Sequence, residues 1–230
     1  MYYFHPFEFI LAVTALLNFT IVLFSKNKTS IPGVKYLFLL LGTLSAWCLL
    51  DLASIANPDI DFKLLSSQIR YSIVSVVSLL FFLFSIDYSN ISFKINSKIV
   101  VLFSIFPFIT TVISFSNQYH SLMWTSYEPV SNKSDIIFQH GTWFWVSLVY
   151  YFVLLSISIL IINNSFKKAS QIYKIQHTII LFSLSFPIIF NISFVTASLS
   201  SYMYDLTSVP LADTAILIHF TISRFRIFDI

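Results

Sequence analysis

Ionisable side chains set inside long apolar blocks are the first candidates for chemistry in this chain. A charge in a low-dielectric interior is costly unless it is paired or put to use. Asp51 lies about one turn from the end of the apolar block 36–55, and Arg70 stands at the start of the block 71–86. The two are therefore placed to meet across a short connection. Put to use, such a pair would gate a cavity at that end of the molecule. As plain architecture it would be a static ion pair, or a carboxylate reaching back to the interface. Asp213 follows Pro210 at the start of the last apolar block, where a carboxylate favours a helix N-terminus or faces the interior as a ligand or proton contact. His120 and Trp124 belong to a long connection, 116–142, rich in aromatic and apolar residues. That connection would either fold back over the bundle mouth as a lid or ligand wall, or lie along the interface as an aromatic belt. Asp205 precedes the last apolar block.

Most catalytic chemistry is excluded. The sequence has no HExxH, CxxC or GxSxG, and its three glycines cannot build a phosphate-cradling loop. His5, His120, His140, His177 and His219 fall in different segments without metal-ligand spacing, so neither a metal nor another cofactor is expected. The one cysteine, Cys48, has no partner for an intrachain disulfide. No lysine lies inside the last apolar block, where a retinal-type Schiff base would need one. The third block ends in Asp87-Tyr88 without an intervening arginine and the last lacks Asn-Pro-x-x-Tyr, against a receptor of the G-protein-coupled type. No nucleic-acid partner is expected.

The elements that must position these residues follow from hydropathy. The chain is 57% hydrophobic and only 10% charged over 230 residues. A soluble domain carries about 25% charged residues, so the solvent here is lipid. Apolar blocks cover about residues 7–24, 36–55, 71–86, 99–115, 143–162, 178–199 and 210–222. Each is too long for a barrel strand and long enough for a helix, which satisfies its own backbone in hydrocarbon. The expected fold is all-α: a polytopic membrane protein, a seven-transmembrane helix bundle forming one domain over 1–230. Asn57-Pro58-Asp59 marks a turn after the second block. Pro107 and Pro187 lie within the fourth and sixth blocks, and Asn191 follows the latter as an interhelical hydrogen-bonder.

Ten of the thirteen Lys and Arg lie after the first, third, fifth and seventh blocks, and only Lys63, Arg70 and Lys133 lie on the other side. Short basic connections stay in the cytoplasm, so the N-terminus is expected outside and the C-terminus inside. The N-terminus carries no basic residue before its first apolar stretch and no small-residue cleavage site after it, so the first helix is expected to be retained.

Several residues recur together in a recognisable order. They are Asn117-x-x-His120-x-Leu122-x-Trp124, Gly141 with Phe144-Trp145, Tyr150 and Tyr151, and Tyr173-x-x-Gln176. Pro187 with Asn191, Asp205-Leu206-Thr207 and Arg224-Phe225-Arg226-Ile227-Phe228-Asp229 follow. In this arrangement the chain resembles the seven-transmembrane N-terminal sensor region of prokaryotic histidine kinases. Pro210 stands three residues after Thr207, where that family's turn has proline directly after the threonine. The resemblance implies a signal-input module in the prokaryotic cytoplasmic membrane. It would take up an unidentified small or membrane-borne ligand and act as a dimer. The last helix would pass the signal to a cytoplasmic kinase or PAS-type output domain, in cis or in trans. Asp51, Arg70, His120, Trp124 and Asp205 are the candidate ligand contacts, and Arg224, Arg226 and Asp229 the candidate output segment. The chain ends at Ile230, where kinase domains would begin, so no enzyme activity is expected of these residues themselves. The competing readings are a small transporter, which would show paired repeats and midplane charges, and a non-signalling remnant of a longer kinase.

Overall fold

A computed structural model describes residues 6–25, 32–89, 95–129, 136–166, 171–183, 188–190, 192–193 and 207–226. The longer helices among the described residues are α1 (Pro6–Ser25), α2 (Val34–Ala56), α3 (Ile60–Tyr88), α4 (Ser97–Phe115), α5 (Thr142–Phe166), α6 (Gln171–Ser183) and α7 (Ser208–Arg226). Four of these segments, 34–56, 60–88, 97–115 and 142–165, are long and apolar enough to cross a membrane. The sixth apolar block begins inside α6, and residues 188–190 and 192–193 are again helical. Pro187, Asn191, Asp205 and Asp229 lie outside the described residues.

The turn foreseen at Asn57-Pro58-Asp59 is a three-residue link between α2 and α3, tightened by the Asp59 N–H donating to Asn57 Oδ1 at 2.9 Å. Asn57 closes α2 with its N–H on the Ala53 carbonyl, and Asp59 accepts from the Asp61 N–H at 3.2 Å to open α3. The start of α3 corrects the expectation. The helix begins at Ile60 rather than near residue 71, so Arg70 lies about three turns inside it rather than at its start. Asp61, Lys63 and two serines lower the hydropathy of the first turns, yet Lys63, Ser66 and Ser67 all face inward. At 1.5 Å per residue its 29 residues reach about 43 Å, well beyond a hydrocarbon core of about 30 Å.

Helix α2 is the hub, packing against α1, α3 and α7, while α3 also carries α4 and α5, and α6 lies against α7. The core between them is built from Leu11, Leu37, Leu41, Leu44, Phe84 and Ile218. At the opposite end of α2 from the link, the backbone N–H of Gly33 donates to Asp87 Oδ2 at 2.7 Å. Gly33 has φ +83 and a Cβ there would press on Tyr88 and Phe84, so this close approach requires glycine.

Helix α4 turns Val101, Leu102, Ile105, Phe108 and Val112 outward. Such a continuous exposed apolar face suits lipid rather than water. Its other face shows how a proline is accommodated without water. Pro107 has no N–H to offer the carbonyl of Phe103 one turn earlier. The hydroxyl of Tyr150 on α5 donates to that carbonyl instead, at 3.3 Å. Phe106 stacks on Tyr150 and Trp143, and Trp143 Nε1 donates to Thr110 Oγ1, so residues 103, 106 and 110 present one face to α5.

The connection 116–142 departs from the expectation of helices alone. It contains a 3-10 turn (Asn117–Tyr119) and two antiparallel strands, β1 (Trp124–Pro129) and β2 (Ile136–His140), with Trp124 opposite His140 and a bulge between Trp124 and Ser126. Alternation over five or six residues is easily lost among aromatic residues that serve equally well as interfacial belt.

Tyr150→Phe is expected to cost about 1 kcal/mol of stability, the worth of one interhelical hydrogen bond, in a detergent unfolding titration. In a Pro107→Ala background, where residue 107 regains its N–H, the same substitution should cost nothing measurable. Equal losses in both backgrounds would refute the assignment of this bond to the proline gap.

Candidate functional site

The link end of the bundle holds the polar interior. On α2, Cys48, Asp51 and Ser54 share a face, and on α3 Lys63, Ser66, Ser67 and Arg70 share another, spaced three or four residues apart as successive helical turns demand. The short link lays the two faces against each other. Arg70 Nε meets Asp51 Oδ1 at 2.9 Å, and the Asp51 carboxylate is almost wholly buried. Lys63 Nζ donates to the backbone carbonyl of Ser54 beside the link. The meeting of Asp51 with Arg70 expected from the sequence is therefore made, deeper along α3 than expected.

A third helix completes the group. Ser208, the first residue of α7, is fully buried, and its hydroxyl donates to Asp51 Oδ2 at 2.7 Å. One carboxylate thus takes a guanidinium from α3 on one oxygen and a hydroxyl from α7 on the other. The sequence offers no sign of this role, since a serine opening a helix reads as an ordinary cap. Asp213 is displaced from its expected place: α7 begins at Ser208, which puts Asp213 in the second turn with an exposed side chain, away from the helix terminus.

His120 and Trp124 belong to a separate group, built around Asn117. The Asn117 Oδ1 accepts from the N–H of Met123 at 2.8 Å and of Trp124 at 3.1 Å, while its Nδ2 donates to the Trp124 carbonyl at 3.0 Å. His120 Nδ1 accepts from the Leu122 N–H, which leaves the neutral ring its proton on Nε2 to donate to Ser116 Oγ at 3.0 Å. Both ring nitrogens are thus engaged within the loop. Gly141 closes the turn: its N–H donates to the Met123 carbonyl, and a Cβ there would stand 2.2 Å from the Leu122 carbonyl oxygen. No side chain fits.

This bracket seats Met123, Trp124 and Phe144 as a small buried aromatic core. Trp124 packs edge-on to Tyr71 at 5.4 Å between ring centroids and lies against Phe138, and Phe144 also meets Tyr71 and stacks on His140. Tyr71 is the residue next to Arg70 on α3. The loop and the ion pair are therefore two clusters with adjacent footholds on one helix, not a single ring of ligand contacts. Ser114 Oγ on α4 donates to the Gln68 carbonyl and adds a further tie to the same stretch of α3. At the other end, Arg224 and Arg226 fall in the last turn of α7. Among the described residues no group of three or more His, Cys, Asp or Glu is arranged to hold a metal.

The family model for the N-terminal 7TM region of histidine kinase matches residues 10–230. The chain belongs to this family, and its apolar helices place it in a membrane as part of the kinase sensor region. No curated protein matches it.

Asn117→Ala strands two backbone N–H groups, each worth about 1–3 kcal/mol when buried without a partner, and Gly141→Ala forces the Leu122 turn open. Both variants are expected to expose the 116–142 connection to limited proteolysis while leaving helix content unchanged. Wild-type protease resistance in the two would mean that other contacts hold this loop.

Proposed function

We propose that this chain is the signal-input module of a two-component system in a prokaryotic cytoplasmic membrane. It spans the bilayer seven times as one domain, with the N-terminus outside and the Arg224–Arg226 end inside. The lysine and arginine bias supports this orientation. The observation that carries the reading is the foothold of the loop: Trp124 is packed on Tyr71, directly beside the Arg70 that pairs with Asp51. A molecule that reaches the outer face meets the aromatic loop, and any displacement of the loop bears on the stretch of α3 that holds the buried pair.

The ligand is small or membrane-borne. Its contacts include the exposed rim of the loop and the outer approach to Arg70, with Asp205 in the segment that leads into α7. His120 contributes by shaping the loop, and Trp124 by packing on Tyr71. The signal leaves through α7, whose end at Arg224 and Arg226, followed by Asp229, joins a kinase or PAS-type output domain in cis or in trans. Two copies act together, as the symmetric output of histidine kinases requires. A coupling free energy of about 1–3 kcal/mol between loop and exit helix is enough for a change in output of roughly 5- to 150-fold.

The test is a fusion of the chain to an intact histidine kinase, read by phosphotransfer to its response regulator. Arg70→Met and Trp124→Ala are each expected to shift basal output by about fivefold or more, in line with that coupling range, while Phe108→Ala on the lipid-facing side of α4 leaves it unchanged. If the first two variants signal like wild type at equal membrane abundance, the pair and the loop are not in the signal path. A cysteine at Tyr119 should also react with an impermeant maleimide on intact cells, and protection until lysis would reverse the orientation.

A further inference from the structure

The first turn of α7 is poorly held by its own backbone. The first four N–H groups of any helix lack an intrahelical partner, Pro210 has no N–H at all, and the Leu211 N–H reaches the Thr207 carbonyl only at 3.4 Å. Further along, Thr214 Oγ1 donates to the carbonyls of Ser183 on α6 and Pro210 on α7, which secures the second turn. Among the described residues, the hydroxyl of Ser208 on Asp51 ties the beginning of the helix to α2, a contact between residues 157 positions apart.

We propose that Asp51 and Ser208 form a latch that sets the position of the exit helix, and that Arg70 keeps it closed. The proposal rests on the sensor reading and names the element by which it would be switched. Arg70 neutralises the buried carboxylate and so keeps it facing inward, where Ser208 can reach it. When α3 shifts and draws Arg70 away, an unneutralised carboxylate in this interior turns towards water, because burial without a counter-charge is far costlier than solvation. Ser208 then loses its acceptor and the first turn of α7 is released. Leu211, Ala215 and Ile218 continue the buried side of α7, so a displacement at Ser208 is carried down the helix as a rigid body.

The chain itself, in nanodiscs and without any kinase, tests this. With the fully buried Cys48 left in place, nitroxides at Ile60→Cys and Asp213→Cys, both exposed positions, report the distance between the start of α3 and the second turn of α7 by pulsed electron resonance. Ser208→Ala is expected to shift or broaden that distribution by about 2 Å, the scale of helix displacements in switching proteins. Asp51→Leu with Arg70→Met removes the pair as a unit, a replacement that membrane and soluble interiors tolerate far better than loss of one charge, and should give the same shift. Val209→Ala, which trims packing beside the latch but keeps the hydroxyl, should leave the distribution in place. Superposition of either latch variant on wild type overturns the proposal, as does an equal shift in Val209→Ala. A shift in distance without altered output in the kinase fusion would instead retain the latch and sink the sensor reading.

Discussion

Hydrocarbon offers no hydrogen bonds, so every polar group placed in it must find its partner within the protein. That constraint accounts for more of this structure than apolar packing does. Lipid tails are as apolar as leucine, so packing alone gives the helices little reason to prefer one another to the bilayer. The specific choices are made by polar exceptions. Pro107 strips the Phe103 carbonyl of its partner, and α5 must be placed so that Tyr150 supplies one. Asp51 cannot be left charged and alone, so α3 and α7 must bring Arg70 and Ser208 to it. Outside the hydrocarbon, in the 116–142 connection, Asn117 likewise turns its side-chain amide to the N–H groups of the buried Met123 and Trp124.

The same constraint explains what could be read from the sequence. Apolar length gave the helices, and Asn57-Pro58-Asp59 gave the link, because both are local. The Asp51–Arg70 contact was legible because two isolated charges flanked one short connection. The start of α3 was not, since hydropathy treats Lys63 and Arg70 as signs of a loop when burial and pairing have already dealt with them. Ser208 was invisible for the opposite reason. A hydroxyl has no hydropathy signature, and its partner lies 157 residues away. The strands of the long connection were obscured because tryptophan, tyrosine and phenylalanine serve an interfacial belt and a short hairpin equally well.

The residues that carried the family resemblance take on a physical meaning in the structure. Asn117, His120, Trp124 and Gly141 are the four points at which the loop is pinned: an amide that brackets three backbone groups, an imidazole that joins Ser116 to Leu122, an aromatic anchor on α3, and a glycine where no Cβ fits. None of these roles requires a ligand. The four hold one loop conformation, and between them Tyr119 and Tyr127 are turned outward.

A polar contact suits the junction between such a loop and an exit helix better than apolar packing would. Apolar side chains slide past one another in small steps, and the energy of the contact changes little with each. The bond between a buried carboxylate and a hydroxyl depends steeply on distance and angle, so it is lost over a small movement. On the latch proposed above, sharing one carboxylate between Arg70 and Ser208 would turn a graded movement of α3 into two discrete states of α7. Because the same carboxylate must stay neutralised to remain buried, the two contacts stand or fall together.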